Sequence, residues 1–211
     1  MVRHVELIDA LLESKDIKDL MLPIQNYDMK IYKHSVNVAY ITALMLDYAD
    51  VETTNKSTEI IKGALLHDIG KLTISKKIIS SPEKLSDSDF EHIKQHSVSS
   101  GLYAKACGFS EIVYKICKMH HEKLDGTGYP DGISYIPFFV QIVTVADIFD
   151  ALISVRPYKK TFTYKNAIKQ LKKEMNDGKL NIEPIKLLEK ASIEHKVMRP
   201  FSNGMLNASN G

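Results

Sequence analysis

Apolar residues recur at three- and four-residue spacing along most of the chain, and the short alternating runs that mark strands are scarce. The pattern predicts an all-α protein. Leu7, Ile8, Leu11 and Leu12 share one face of a helix over 5–12, and a longer helix over 31–48 carries Val36, Val38, Ala39, Ile41, Ala43, Leu44 and Leu46. The polar stretch 51–56 reads as a loop, with Ser57 or Thr58 capping a helix through Ile60, Ile61, Ala64, Leu65 and Leu66 that ends near Gly70. Ser80-Ser81-Pro82 is a break. Ser86 with Asp89 resembles a capping box before a helix over 90–102, and Ser110 caps another that runs to about His121. The segment 125–132, with three glycines and a proline, is a loop, and a helix resumes near Pro137. A basic amphipathic helix over 164–175 precedes a last one over 183–193 with Pro184 in its first turn, and 202–211 reads as a frayed end.

Charge narrows the function classes. The 28 basic and 26 acidic residues leave a formal net charge of +2, so neither a duplex nucleic acid nor a membrane surface is indicated, and any anion site is local. The expected lysine-rich face at Lys160, Lys165, Lys169, Lys172 and Lys173 reads as solvated helix surface. No apolar run approaches the roughly 18 residues of a spanning helix. Two cysteines, Cys107 and Cys117, read as packing residues, and a charged start with no apolar leader points to the reducing cytoplasm.

The chemistry is concentrated in histidines that stand with acids at helical positions: His34, the pair His67-Asp68, His96, the pair His120-His121, and Asp147. Imidazole and carboxylate together suit divalent transition metals, and a carboxylate can bridge two ions. Adjacent residues on a helix point about 100 degrees apart, so a His-Asp or His-His pair can embrace a cluster from one turn. Within HDIGK at 67–71, Lys71 falls four positions after His67, which on one continuous helix puts it on the same face, beside any anion held there. Taken singly, each histidine is more simply a packed or surface residue; it is the set that points to a metal site.

HDIGK at 67–71, HHEKLDGTGYP at 120–130 and ADIFDALISVRPYKK at 146–160 together resemble the HD-GYP family of the HD hydrolases, over residues 28–175. The resemblance implies an HD-domain helical bundle with the GYP loop beside a metal site in the bundle core. It implies a phosphodiesterase that opens cyclic di-GMP to linear pGpG, or on to GMP, by metal-hydroxide attack at a centre holding two or three ions, commonly iron or manganese. Carried over residue by residue, it makes His34, His67, Asp68, His96, His120, His121 and Asp147 the metal ligands, with Asp68 bridging, and Lys71 the catalytic lysine. Some members bind a third ion through a glutamate one turn before the first histidine; Lys30 stands there, so two ions are expected. Tyr129, Gly128 and Pro130 then line the substrate pocket, Gly126 and Gly128 letting the backbone approach the ligand, and Arg156 and Lys159 match the phosphate-binding pair. Tyr158 is a further stacking candidate, Tyr135 reads as ordinary packing, and Glu122 is a candidate for fixing an imidazole tautomer.

On this reading residues 1–27 are an N-terminal helical extension, 28–175 the catalytic domain, 176–200 a C-terminal helix packed on the core and 201–211 a flexible tail. No input domain is visible, and the two outer helical segments either cover the core or make a homodimer. Rival readings are a hydrolase of 3′3′-cyclic GMP-AMP, a binding module that has lost turnover, and a one-metal mononucleotide hydrolase. The last leaves His96, His120, His121 and the GYP loop unexplained.

Overall fold

The computed structural model describes residues 4–49, 54–79, 86–154 and 161–195. Among the described residues there are ten α-helices, one 3-10 turn and no strand. Two short helices, α1 (Glu6–Glu13) and α2 (Lys15–Tyr27), precede the long α3 (Met29–Tyr48), whose first turn is capped by the Asp28 side chain accepting from the Lys30 amide at 2.7 Å. Helix α4 (Asn55–Leu66) leads into the 3-10 turn Ile69–Thr73 and the single turn α5 (Lys76–Ile79). Then come α6 (Asp87–Ala106), α7 (Glu111–Met119), α8 (Phe138–Ile153), α9 (Tyr164–Asn176) and α10 (Ile182–His195). No helix of the described residues is long and apolar enough to cross a membrane.

Several boundaries follow the expected signals. Ser86 accepts from the Asp89 amide and Ser110 from the Val113 amide, so both caps satisfy first-turn N–H groups that have no partner inside the helix. The cap of α4 differs: Thr54 accepts from the Ser57 amide while the Ser57 hydroxyl is reached by the Thr54 amide, so Ser57 is the third residue of a reciprocal box rather than the cap. Helix α2, within the segment expected as an N-terminal helical extension, carries Pro23 inside it. Ser80-Ser81-Pro82 and 202–211 lie outside the described residues.

One apolar core runs through the molecule. Val38, Ala39 and Leu46 of α3, Ile61 and Leu65 of α4, Ile116 of α7 and Val143 and Phe149 of α8 are all buried in it, as are Ile17 and Ile24 of α2 and Ile185 and Leu188 of α10. At about 25 cal/mol per Å², such side chains are the main force holding the helices in register. Cys117 is packed in this core, whereas Cys107, at the end of α6 and expected as a packing residue, is exposed. Tyr135 is 89% exposed and so is not the packing residue expected beside its proline. Lys165, Lys169 and Lys173 are exposed along α9, and Lys172 donates to Glu189 at 2.7 Å, as a solvated face would have it.

Candidate metal centre

Five helices and the turn after α4 bring the histidines and acids together in the middle of the bundle. Helix α3 carries His34, the end of α4 carries His67, and Asp68 follows in the turn into the 3-10 segment. Helix α6 carries His96, the end of α7 carries His120 and His121, and α8 carries Asp147. His67, Asp68, His96, His120 and Asp147 are buried, and His34 and His121 are partly so. Their ligating atoms form two groups, Asp68 with His96, His120 and His121, and His34 with His67 and Asp147, the atoms within each lying inside 4.8 Å of one another. All seven expected ligands therefore converge.

The two carboxylates join the groups. Asp68 Oδ1 lies 3.3 Å from His96 Nε2 and 3.9 Å from His120 Nε2, while its Oδ2 lies 3.4 Å from His67 Nε2 and 3.7 Å from His34 Nε2. Asp147 straddles them likewise, with Oδ1 3.0 Å from His34 Nε2 and Oδ2 3.9 Å from His121 Nδ1.

The imidazoles are oriented from behind. Nδ1 of His67 meets the Ala64 carbonyl at 2.8 Å, that of His96 the Ile93 carbonyl at 2.6 Å, and that of His120 the Cys117 carbonyl at 3.0 Å. A carbonyl only accepts, so each Nδ1 carries the proton and each Nε2 presents a lone pair to the centre. His96 Nε2 and His120 Nε2 consequently face each other as acceptors at 3.3 Å, and His67 Nε2 and Asp68 Oδ1 are buried without any hydrogen-bond partner. Buried acceptors that face one another need a cation between them. These residues fit divalent metal ions.

Protonation agrees with that chemistry at His120, His121, Asp68 and Asp147, whereas His34 must give up a proton to bind an ion. Burial drives the His120 imidazole well below its ordinary value and His121 down to about 3, so both are neutral, as ligands must be. Burial pushes the Asp68 carboxyl up, but the Lys71 ammonium and His67 hold it well below the usual carboxylate range; Asp147 is held there by His34 against the same burial. Burial also opposes a charge on His34, yet the flanking Asp147 and Asp150 carboxylates outweigh it and bring it up to about 9.

Lys71 donates to Asp68 Oδ2, but not from a continuation of helix α4. Helix α4 stops at Leu66, and the tighter 3-10 turn brings Lys71 over Asp68 three residues on. Gly70 makes that turn possible: a Cβ there would stand 2.1 Å from the His96 carbonyl oxygen and 2.6 Å from the Ser100 amide, and its own N–H donates to the Ser100 hydroxyl at 2.8 Å.

The Tyr129 ring lies 4.7 Å from that of His121, beside the cluster, with Lys94 5.8 Å from its centroid. Its loop is pinned by Glu122, whose buried carboxylate accepts the Asp131 amide at 2.7 Å and the Ile133 amide at 3.1 Å. Glu122 thus holds the loop and not an imidazole. Gly128 packs against the Glu122 and Lys123 backbone, where a Cβ would come within 2.4 Å, so its close approach is to the chain itself. Gly126 supplies a left-handed turn at φ +76°, and Pro130 is half-buried after Tyr129. Arg156, Tyr158, Lys159 and Lys160 lie outside the described residues.

Sequence reasoning missed Asp150, one turn after Asp147 and buried, whose Oδ2 lies 2.6 Å from His34 Nδ1. The signal was a second acid on the apolar helix ADIFDAL. It also missed Thr144, which donates to the His120 carbonyl at 2.9 Å.

The HD domain family model matches residues 24–181. A cyclic di-GMP phosphodiesterase of Pseudomonas aeruginosa is 34% identical over 156 residues, 72% of this chain and 37% of that protein. A cyclic di-GMP phosphodiesterase of Thermotoga maritima is 35% identical over 72% of this chain and 42% of its own length. A 3′3′-cGAMP-specific phosphodiesterase of Vibrio cholerae is 36% identical over 64% of this chain and 30% of its own. The chain thus spans less than half the length of these relatives. Among solved structures, an HDGYP-type protein from Bdellovibrio bacteriovorus superposes with TM-score 0.62 at 23% identity, covering 76% of this chain and 51% of that one. The HD domain of the L. monocytogenes phosphodiesterase PgpH, in complex with cyclic-di-AMP, superposes with TM-score 0.61 at 17% identity over 83% of this chain and 94% of that one.

Proposed function

This chain belongs to the HD domain family, and from that membership and the geometry of its buried cluster we propose that it is a two-metal phosphodiesterase acting on a cyclic dinucleotide. The observation that carries the reading is the placement of Asp68, with one oxygen toward His96 and His120 and the other toward His34 and His67. A carboxylate so placed is suited to bridge two ions. The ligand set fits iron or manganese, and such ions supply Lewis-acid activation of water and charge neutralisation at the phosphate.

The chain's own groups do the rest. Lys71 sits at the cluster with its ammonium on Asp68, placed to turn toward a phosphate oxygen and stabilise the charge that grows there. The Tyr129 ring beside His121 offers a stacking face for a base. Arg156 and Lys159 are assigned to the substrate phosphates by the motif they occupy. Cyclic di-GMP is the first candidate substrate, because two of the relatives carry that activity in their names; 3′3′-cyclic GMP-AMP is the alternative that the Vibrio relative favours. Residues 28–175 are assigned the chemistry, in the cytoplasm, with linear pGpG as the first product.

The test is purification without oxygen, metal counting by elemental analysis, and product analysis with both dinucleotides, His67→Ala serving as control. About two iron or manganese ions per chain and a linear product lost in the variant are expected. Two ions without turnover would favour a binding module; a single ion would favour the mononucleotide hydrolase.

A further inference from the structure

The histidines of the cluster are not oriented alike. His67, His96 and His120 give Nδ1 to carbonyls of their own helices, at Ala64, Ile93 and Cys117, partners that no side-chain replacement removes. His34 gives Nδ1 to a side chain instead, Asp150 Oδ2 at 2.6 Å. The Asp150 carboxylate is buried and itself held, by Asn37 Nδ2 at 3.0 Å on Oδ1 and by the Ser154 hydroxyl at 3.1 Å on Oδ2. It therefore cannot swing to the centre without giving up these bonds.

We propose that Asp150 is a positioning residue that fixes the His34 ring with Nε2 toward the centre and thereby sets the affinity of the His34, His67 and Asp147 group for its ion. A carboxylate behind an imidazole strengthens it as a donor more than a carbonyl does, since the full negative charge favours electron density at the far nitrogen. The consequence is an asymmetric pair of sites. In the group of Asp68, His96, His120 and His121, backbone carbonyls orient His96 and His120; in the other, His67 is held likewise but His34 depends on one replaceable side chain. The proposal rests on the two-ion reading above, but its test needs no substrate.

The experiment is titration of the metal-free full chain with Mn2+, followed by calorimetry and by the loss of the free-ion EPR signal. Wild type is expected to take up two ions; Asp150→Asn to bind one as before and the other about ten- to a hundredfold more weakly, the range for lost outer partners of metal ligands; and Asp150→Glu to recover part of the loss. Asn37→Ala removes one of the bonds that hold Asp150 without touching His34, and is expected to lower the melting temperature and to weaken binding of the ion far less than Asp150→Asn does. Equal Mn2+ binding by Asp150→Asn and wild type overturns the proposal, as does an equal weakening in Asn37→Ala, which would make Asp150 a mere staple between α3 and α8. Wild-type uptake of one ion sinks the two-ion reading, and the Asp150 proposal then stands or falls on whether Asp150→Asn weakens that ion. Should Asp150→Asn fail to fold, the imidazole 15N spectrum of the Zn2+-loaded wild type decides: an exchange-protected, downfield Nδ1 proton on His34 supports the proposal, and its absence overturns it.

Discussion

The histidine cluster and the loop of residues 125–133 lie side by side, yet they are held by different means. In the cluster each ligand rides on a helix or a helix end, and carbonyls of those helices fix the rings of His67, His96 and His120. The loop has no such frame. Tyr129 is positioned by its own amide on the His121 carbonyl at 3.3 Å, by the close fit of Gly128 on the chain, and by the two bonds to Glu122. On the proposed function the difference is a division of labour: a helix-borne part suited to hold ions, and a loop, tied by side-chain and backbone bonds, suited to meet the substrate. Substitutions in the first are expected to cost metal and turnover; those in the second, substrate affinity.

The largest effect is expected at Asp68. Asp68→Ala removes the carboxylate that faces both histidine groups, so elemental analysis should find both ions reduced and phosphodiesterase activity should fall by well over the hundredfold that marks an outer-sphere loss. Retention of two ions would break the bridging assignment. Lys71→Ala comes next: metal content should stay at the wild-type level while kcat drops by about a hundred- to a thousandfold, the range for removing one group that stabilises transition-state charge. A change confined to KM would make Lys71 a binding residue only.

Gly70→Ala probes the frame itself. Its Cβ would meet the His96 carbonyl and the Ser100 amide, both backbone, so the 3-10 turn must move away from α6. We expect a loss of about 3 kcal/mol or more in urea unfolding, at the upper end for overpacking, with weakened metal uptake because the same carbonyl belongs to the His96 helix. Unchanged stability would mean that the turn is softer than its packing implies.

How much of this was legible in the sequence follows the same division. All seven cluster residues could be named beforehand, because histidine and aspartate carry their chemistry in their identity and because HDIGK, HHEKLDGTGYP and ADIFDALISVRPYKK carry the family resemblance. The caps at Ser86 and Ser110 were legible for the same local reason, since cap and amide are three residues apart. What escaped was long-range. Asp150 meets His34 across 116 residues; the second acid of ADIFDAL marks the position, but nothing near either residue identifies its partner. Glu122 was read as an imidazole partner because it adjoins His121, whereas its side chain points the other way, into the loop nine and eleven residues on. The end of α4 was misplaced by the same kind of error: HDIGK continues a helical pattern, and only packing of Gly70 against α6 converts it to a 3-10 turn.

Glu122→Gln makes the smallest change and separates the two regions most cleanly. The variant keeps the shape of the side chain, but the amide offers one accepting oxygen and one NH2 group where the carboxylate offered two acceptors. One of the Asp131 and Ile133 amides must then face a donor. A buried N–H left unpaired costs about 1–3 kcal/mol, and here that cost falls on closure of the loop rather than on folding of the helices. At about 1.4 kcal/mol per factor of ten, KM for the dinucleotide should rise about tenfold, while metal content and the rate at saturating substrate stay near wild type. If instead metal content falls and KM does not move, Glu122 acts through His121, and the loop and the cluster are one unit rather than two.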